Sequence, residues 1–100
     1  MTIEYHIDDK THTMEISIFG QFNFYLSEDF HQLTHTTRKI EKIIIDLENT
    51  VSIDSAGLGI LFFLRKKFDM NSVEILLTNS NPNVLRIFAI AKISHFFTIR

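Results

Sequence analysis

The chain has no cysteine and no tryptophan, and only one proline among its 100 residues. The missing thiols exclude disulfides, thiolate metal sites and cysteine nucleophiles. A formal net charge of -2 and a single short basic run, Arg65-Lys66-Lys67, give nothing to bind nucleic acid electrostatically. That run reads as a solvated helix end, where cations favour the dipole. The longest uninterrupted apolar runs, Ile60 to Leu64 and Ile87 to Ala91, fall far short of the roughly 20 residues a membrane span needs. The stretch from Met1 to His6 lacks the basic start and apolar run of a secretory signal. A soluble, cytoplasmic protein without membrane insertion is therefore expected. No repeat, low-complexity tract or linker interrupts the chain, so residues 1–100 read as one domain.

What is present is apolar. Hydrophobic residues make up 45% of the chain, and ten of them are phenylalanine. A chain of this size buries roughly two-thirds of its unfolded surface, enough for one core without staples. Ile3, Tyr5 and Ile7 alternate with polar residues, as do Met14, Ile16 and Ile18, with Asp8-Asp9-Lys10 as a turn between them. These two segments predict a hairpin, ended by Gly20. Ser27 is placed to cap a helix whose spacing, Phe30, Leu33, Thr37 and Ile40, runs to about Ile40. Ile43 to Leu47 has the pattern of a central strand covered on both faces. A helix from Ser55 to Phe68 follows, then a strand over Val73 to Leu77. Pro82 suits a helix start, and Phe96 to Ile99 reads as a last strand. The fold class is α/β. The order β-β-α-β-α-β-α-β predicts a mixed sheet of four to five strands with crossover helices.

The segment from Asp54 to Phe68 carries the strongest signal. Leu58, Leu61, Phe62 and Arg65 fall on one stripe; Ile60, Leu64 and Phe68 fall on another. One apolar stripe is enough for a surface helix, so the excess packs under a neighbouring helix or faces a protein partner. Gly57 and Gly59 cost the helix about 1 kcal/mol each relative to alanine. Two such costs in one turn point to close backbone approach, by the underlying strand or by a docking partner. Asp54 and Ser55 are both candidate caps. A helix start also seats anions, and a serine there gains nearly two negative charges when phosphorylated. The Gly-x-Ser-x-Gly elbow of serine hydrolases is absent, because Ile53 stands where its first glycine belongs. No Gly-Lys-Ser/Thr phosphate loop occurs either.

Asp54-Ser55-Ala56-Gly57-Leu58-Gly59, preceded by Ile43-Ile44-Ile45-Asp46-Leu47, resembles the signature of STAS domains, the anti-sigma factor antagonist family. Gly20-Gln21-Phe22-Asn23 is similar to the segment that closes the family's second strand. Leu76 to Pro82, Val84 to Ile93 and Phe97 to Ile99 are similar to its last strand-helix-strand unit. The resemblance implies a bacterial, non-enzymatic regulator of transcription that works by partner switching. Its partner would be an anti-sigma factor or another serine kinase with a histidine-kinase-like fold. That kinase would phosphorylate a hydroxyl at the start of the second helix and so break the complex, and a serine phosphatase would restore it. Many members carry two hydroxyl residues after the Asp, the second often the acceptor; here the second position is Ala56. The expected phosphorylation site is therefore Ser55. The expected partner-binding residues are Asn23, Asp54, Ser55, Ala56, Gly57, Leu58, Gly59 and Phe62, with no catalytic residue and no cofactor. A constitutive STAS-only adaptor of a lipid-transport ATPase is the alternative.

The remaining candidates have structural explanations. His31 and His35, at i and i+4, lack an evident third ligand and read as a solvated face rather than a metal site. Asp8-Asp9 and Glu28-Asp29 fit a turn and a helix start better than acid/base pairs. Phe96-Phe97 reads as core and edge packing, with a homodimer surface as the other reading.

Overall fold

The computed structural model describes residues 2–100, so Met1, part of the N-terminal stretch read above, lies outside the described residues. Strand β1 (Ile3–Asp8) pairs antiparallel with β2 (Thr13–Ile18), the predicted hairpin. Strands β4 (Lys42–Asp46), β6 (Glu74–Thr78) and β7 (Thr98–Ile99) then add in parallel, giving one mixed sheet in the order β1-β2-β4-β6-β7. Helix α1 (Ser27–Leu33) leads into β4, α2 (Ser55–Lys67) leads into β6, and α3 (Pro82–Ile90) connects β6 to β7. Two short strands that the alternation did not predict, β3 (Gly20–Phe22) and β5 (Thr50–Ile53), form a separate parallel pair. Gly20 does not merely end β2. Its φ of 88° turns the chain into β3, a conformation glycine adopts without a Cβ penalty.

Burial alternates along β2 and β4. Met14, Ile16, Ile18, Ile43 and Ile45 are fully buried, while Glu15 is exposed and Ser17, Ile44 and Asp46 are partly so. The expectation that β4 is covered on both faces is thus corrected: one face meets the core and the other meets solvent. In register, the open face carries rows such as His6, Glu15, Ile44, Leu76 and Thr98. Only β6 breaks the alternation, with Ile75, Leu76 and Leu77 all buried.

Helix α1 stops at Leu33, well short of Ile40. Thr34, Thr36 and Thr37 are poor helix formers, and the Thr34 hydroxyl donates to the His31 carbonyl at 2.6 Å. The extended segment that follows is pinned by Arg38, which donates to Asp9 through two nitrogens at 3.0 and 2.6 Å. Those hydrogen bonds from Arg38 hold the Asp9 carboxyl below its usual range. Helix α3 begins as expected at Pro82, with the Asn81 side chain accepting from the Val84 N–H at 2.9 Å.

Beyond the C-cap of α3, Lys92 sits in the left-handed region at φ 55°. A Cβ is disfavoured there. Lys92→Gly is expected to raise stability by about 1 kcal/mol, read as a higher melting temperature in a thermal scan; an unchanged or lower value contradicts it.

The basic run at the end of α2 also differs from expectation. Lys66 and Lys67 are exposed, but Arg65 is only 7% exposed. Its guanidinium donates to the carbonyls of Phe68 at 2.9 Å, Val73 at 2.7 Å and Phe96 at 3.4 Å. Hydrogen bonds from a charged donor to three carbonyls offset the loss of water around the guanidinium.

Candidate functional site

Strands β3 and β5 run parallel, with Gln21 opposite Ser52 and Phe22 opposite Ile53. The next residue on each is a side-chain cap. Asn23 Oδ1 accepts from the Tyr25 N–H at 3.0 Å and opens a 3-10 turn over Phe24–Leu26. Asp54 Oδ1 accepts from the Gly57 N–H at 2.9 Å and opens α2. The Asp54 N–H donates to the Phe22 carbonyl at 3.4 Å, so the two caps leave the strand pair side by side. Asn23, not Ser27, therefore initiates the first helical segment. Ser27 is the first residue of α1, whose cap position is Leu26. The strand pair is anchored from outside as well. Buried Thr50 donates to the Ile18 carbonyl at 2.9 Å, and Asn81 Nδ2 reaches the Thr50 and Val51 carbonyls at 3.1 and 3.0 Å.

Because Asp54 supplies the cap, Ser55 is not needed for it. Ser55 is the first residue of α2 and is exposed. Ala56, half-buried, turns toward α1. The two glycines separate in role. A Cβ on Gly57 would lie 2.3 Å from the Phe22 carbonyl oxygen and 2.7 Å from Ile53 Cγ1, so the strand pair itself demands glycine there. A Cβ on Gly59 would meet nothing within 4 Å. Internal packing does not account for the second glycine.

The excess apolar surface of α2 divides between two sides. Leu58 and Phe62 follow Ser55 along one side, both half-buried. The Phe62 ring meets Phe96 and Phe97 edge-on, at 5.6 and 6.1 Å between centroids. Along the other side, Ala56, Gly59, Ile60 and Phe63 line a groove of about 340 Å³, closed across from them by Phe24, Ser27 and His31. The His31 ring stacks on Phe63 at 5.6 Å and meets His35 edge-on at 4.9 Å. Among the described residues, no three His, Cys, Asp or Glu side chains are grouped to hold a metal.

Three exposed apolar side chains near the site carried no sequence signal of their own. Phe24 and Tyr25, 69% and 85% exposed, follow the Asn23 cap, and Val51 is exposed on β5. Their only trace in the sequence is two adjacent aromatics outside any period, immediately after Asn23.

The family model described as the STAS domain matches residues 3–100. A STAS-domain containing protein of Pseudomonas aeruginosa (strain UCBPP-PA14) is 32% identical over 90 residues, covering 86% of each chain. The solved structure of the anti-sigma factor antagonist SpoIIAA in its unphosphorylated form superposes with a TM-score of 0.82 at 17% identity, covering 98% of this chain and 87% of that one. A putative anti-sigma factor antagonist of Thermotoga maritima gives 0.80 at 20% identity, covering 97% and 84%. At these identities the two solved structures establish a shared fold.

Proposed function

This chain belongs to the STAS domain family, and from that premise we propose that it is an anti-sigma factor antagonist switched by phosphorylation of Ser55. The unphosphorylated chain docks a histidine-kinase-like anti-sigma factor through the surface around the start of α2. The kinase modifies Ser55 and leaves, and a serine phosphatase resets the cycle. The protein performs no chemistry itself.

One observation carries this reading: Ser55 is an exposed hydroxyl at the first position of a helix that Asp54 already caps. Phosphate there sits on outward N–H groups at the positive end of the dipole, so the fold tolerates it. It adds about -1.5 to -2 charges next to Asp54. An apolar or acidic partner surface is repelled by that change. The second position, where many members carry their acceptor, is Ala56, whose side chain faces the groove. Ser55 is therefore the hydroxyl of the motif open to a kinase. Asn23, Asp54, Ala56, Leu58, Gly59 and Phe62 complete the docking surface, and buried Gly57 serves by letting α2 approach β3.

Ser55→Asp is expected to weaken capture of the cognate kinase by about tenfold or more, a loss of about 1.4 kcal/mol, while Ser55→Ala keeps it. Both variants stay folded, since an acid at this position suits the dipole. Phosphosite mapping by mass spectrometry after incubation with the kinase should return Ser55. Modification elsewhere removes the switch. Equal capture by both variants, together with the alanine at position 56, favours the constitutive adaptor of a transport ATPase instead.

A further inference from the structure

Gly59 holds the key to this surface. A glycine in the second turn of a helix costs about 1 kcal/mol relative to alanine, and nothing inside the molecule requires it. The space it leaves opens into the groove between α1 and α2, walled by Phe24, Ala56, Ile60 and Phe63. Along α2, the charge beyond the two ends of the groove differs. Asp54 stands at the start of α2. At the far end Lys67, one turn beyond Phe63 on the same side of α2, places its Nζ 5.5 Å from the centre of the Phe63 ring. His31, stacked on that ring, and His35, edge-on to His31, complete a basic end. Each imidazole offers an N–H donor when neutral and is cationic when protonated. Of Lys67, His31 and His35, only His31 lines the groove; the other two flank it, and Glu28, one turn before His31, lies outside it as well, its carboxylate accepting from Gln32 Nε2 at 3.4 Å.

We infer that this groove receives a partner-protein segment in which an apolar side chain is followed by a carboxylate. The apolar side chain fills the space over Gly59, and the carboxylate meets Lys67, His31 and His35. This rests on the reading that the face around Ser55 docks a protein, and it specifies the chemistry of what docks. Complementary charge at one end sets the direction in which the segment lies, and the apolar walls supply contact area.

Two synthetic peptides of equal length test it against the full chain, one carrying Leu-Glu at its centre and the other Leu-Lys. Chemical shifts of the Ala56 and Ile60 methyls and of the His31 ring are the readout. The Leu-Glu peptide is expected to move all three, and the Leu-Lys peptide to bind at least about tenfold more weakly. Gly59→Leu, which fills the space, and Lys67→Glu, which reverses the basic end, are each expected to cut Leu-Glu binding about tenfold. Neither position supports the core, and circular dichroism confirms that both variants are folded. Equal shifts from both peptides, no shift from either, or binding indifferent to both substitutions overturns the inference. So do shifts that track protein concentration without peptide, which would place a second copy in the groove. If the peptides fail while Ser55→Asp and Ser55→Ala still differ in kinase capture, the inference falls and the phospho-switch stands. If the peptides bind as expected and those variants do not differ, the switch falls and the groove stands.

Discussion

Gly57→Ala is expected to destabilise the protein by about 3 kcal/mol or more, whereas Gly59→Ala, two residues further on, stabilises it by about 1 kcal/mol. Both substitutions add one methyl to one helix, and both remove the same intrinsic cost of glycine. They differ only in what the methyl meets. At position 57 it would meet the Phe22 carbonyl oxygen at 2.3 Å, and that oxygen belongs to backbone paired with β5. Backbone held in a ladder cannot swing aside as the tip of a side chain can. Relief requires α2 to lift from the strand pair, which opens the contacts of buried Ile53, Ile60 and Leu61. At position 59 the methyl enters open space. Domains of this size hold about 5–15 kcal/mol in total, and 1 kcal/mol moves the melting temperature by about 4–8 °C. Thermal and urea unfolding should therefore separate the two variants by well over 10 °C, by roughly that scale. A Gly57→Ala protein that melts with the parent would refute the close approach of α2 to β3. The same approach fixes where Ser55 stands, so a protein that tolerated the change would also undercut the proposed docking surface.

The second large effect is at Arg65. Arg65→Ala is expected to cost about 2–3 kcal/mol, because the buried Val73 carbonyl and the part-buried Phe68 carbonyl lose a charged donor. The guanidinium is held by carbonyl dipoles, and burial lowers its pKa, with the charge of Asp69 opposing. Arg65→Lys should recover only part of the loss, since a single ammonium cannot span carbonyls on three segments as a planar fork does. The damage should concentrate at β7. That strand has two residues, Thr98 and Ile99, paired with Leu76 and Leu77, and the Phe96 carbonyl just before it is one of the three acceptors. Amide exchange at 97–100 should accelerate ahead of global unfolding in Arg65→Lys. Exchange that rises uniformly, or a melting temperature unchanged in Arg65→Ala, would show the guanidinium to be idle.

Much of the architecture was legible because it is local. The hairpin, the central strand, the long helix after it and the start of α3 each rest on a short-range rule: period-2 alternation, an apolar run, a cap residue, a proline at the first helical position. Asp54 and Asn81 act as caps in the structure, as their residue types permit. Ser55 was singled out by its place next to Asp54, and the fold leaves it exposed at the head of α2.

The differences arise where the deciding partner lies far along the chain. Strands of three and four residues are too short to show a period, so β3 and β5 become visible only once they pair. A basic triplet at a helix end resembles a solvated cap, and only the arrival of Val73 and Phe96 draws Arg65 inward. An apolar run with one acid suits a doubly covered strand, yet the helices leave one face of β4 open. Two glycines in one turn announced a close approach without saying which of them made it. By itself, the sequence determined the hairpin, the central strand, the helices α2 and α3, the family and the serine at the helix start, because each is written in neighbouring residues. The tertiary structure alone decided that Gly57 is packed and Gly59 is open, and that a groove lined by Ala56, Gly59 and His31 lies between α1 and α2. Those facts depend on which distant backbone stands within a methyl's reach.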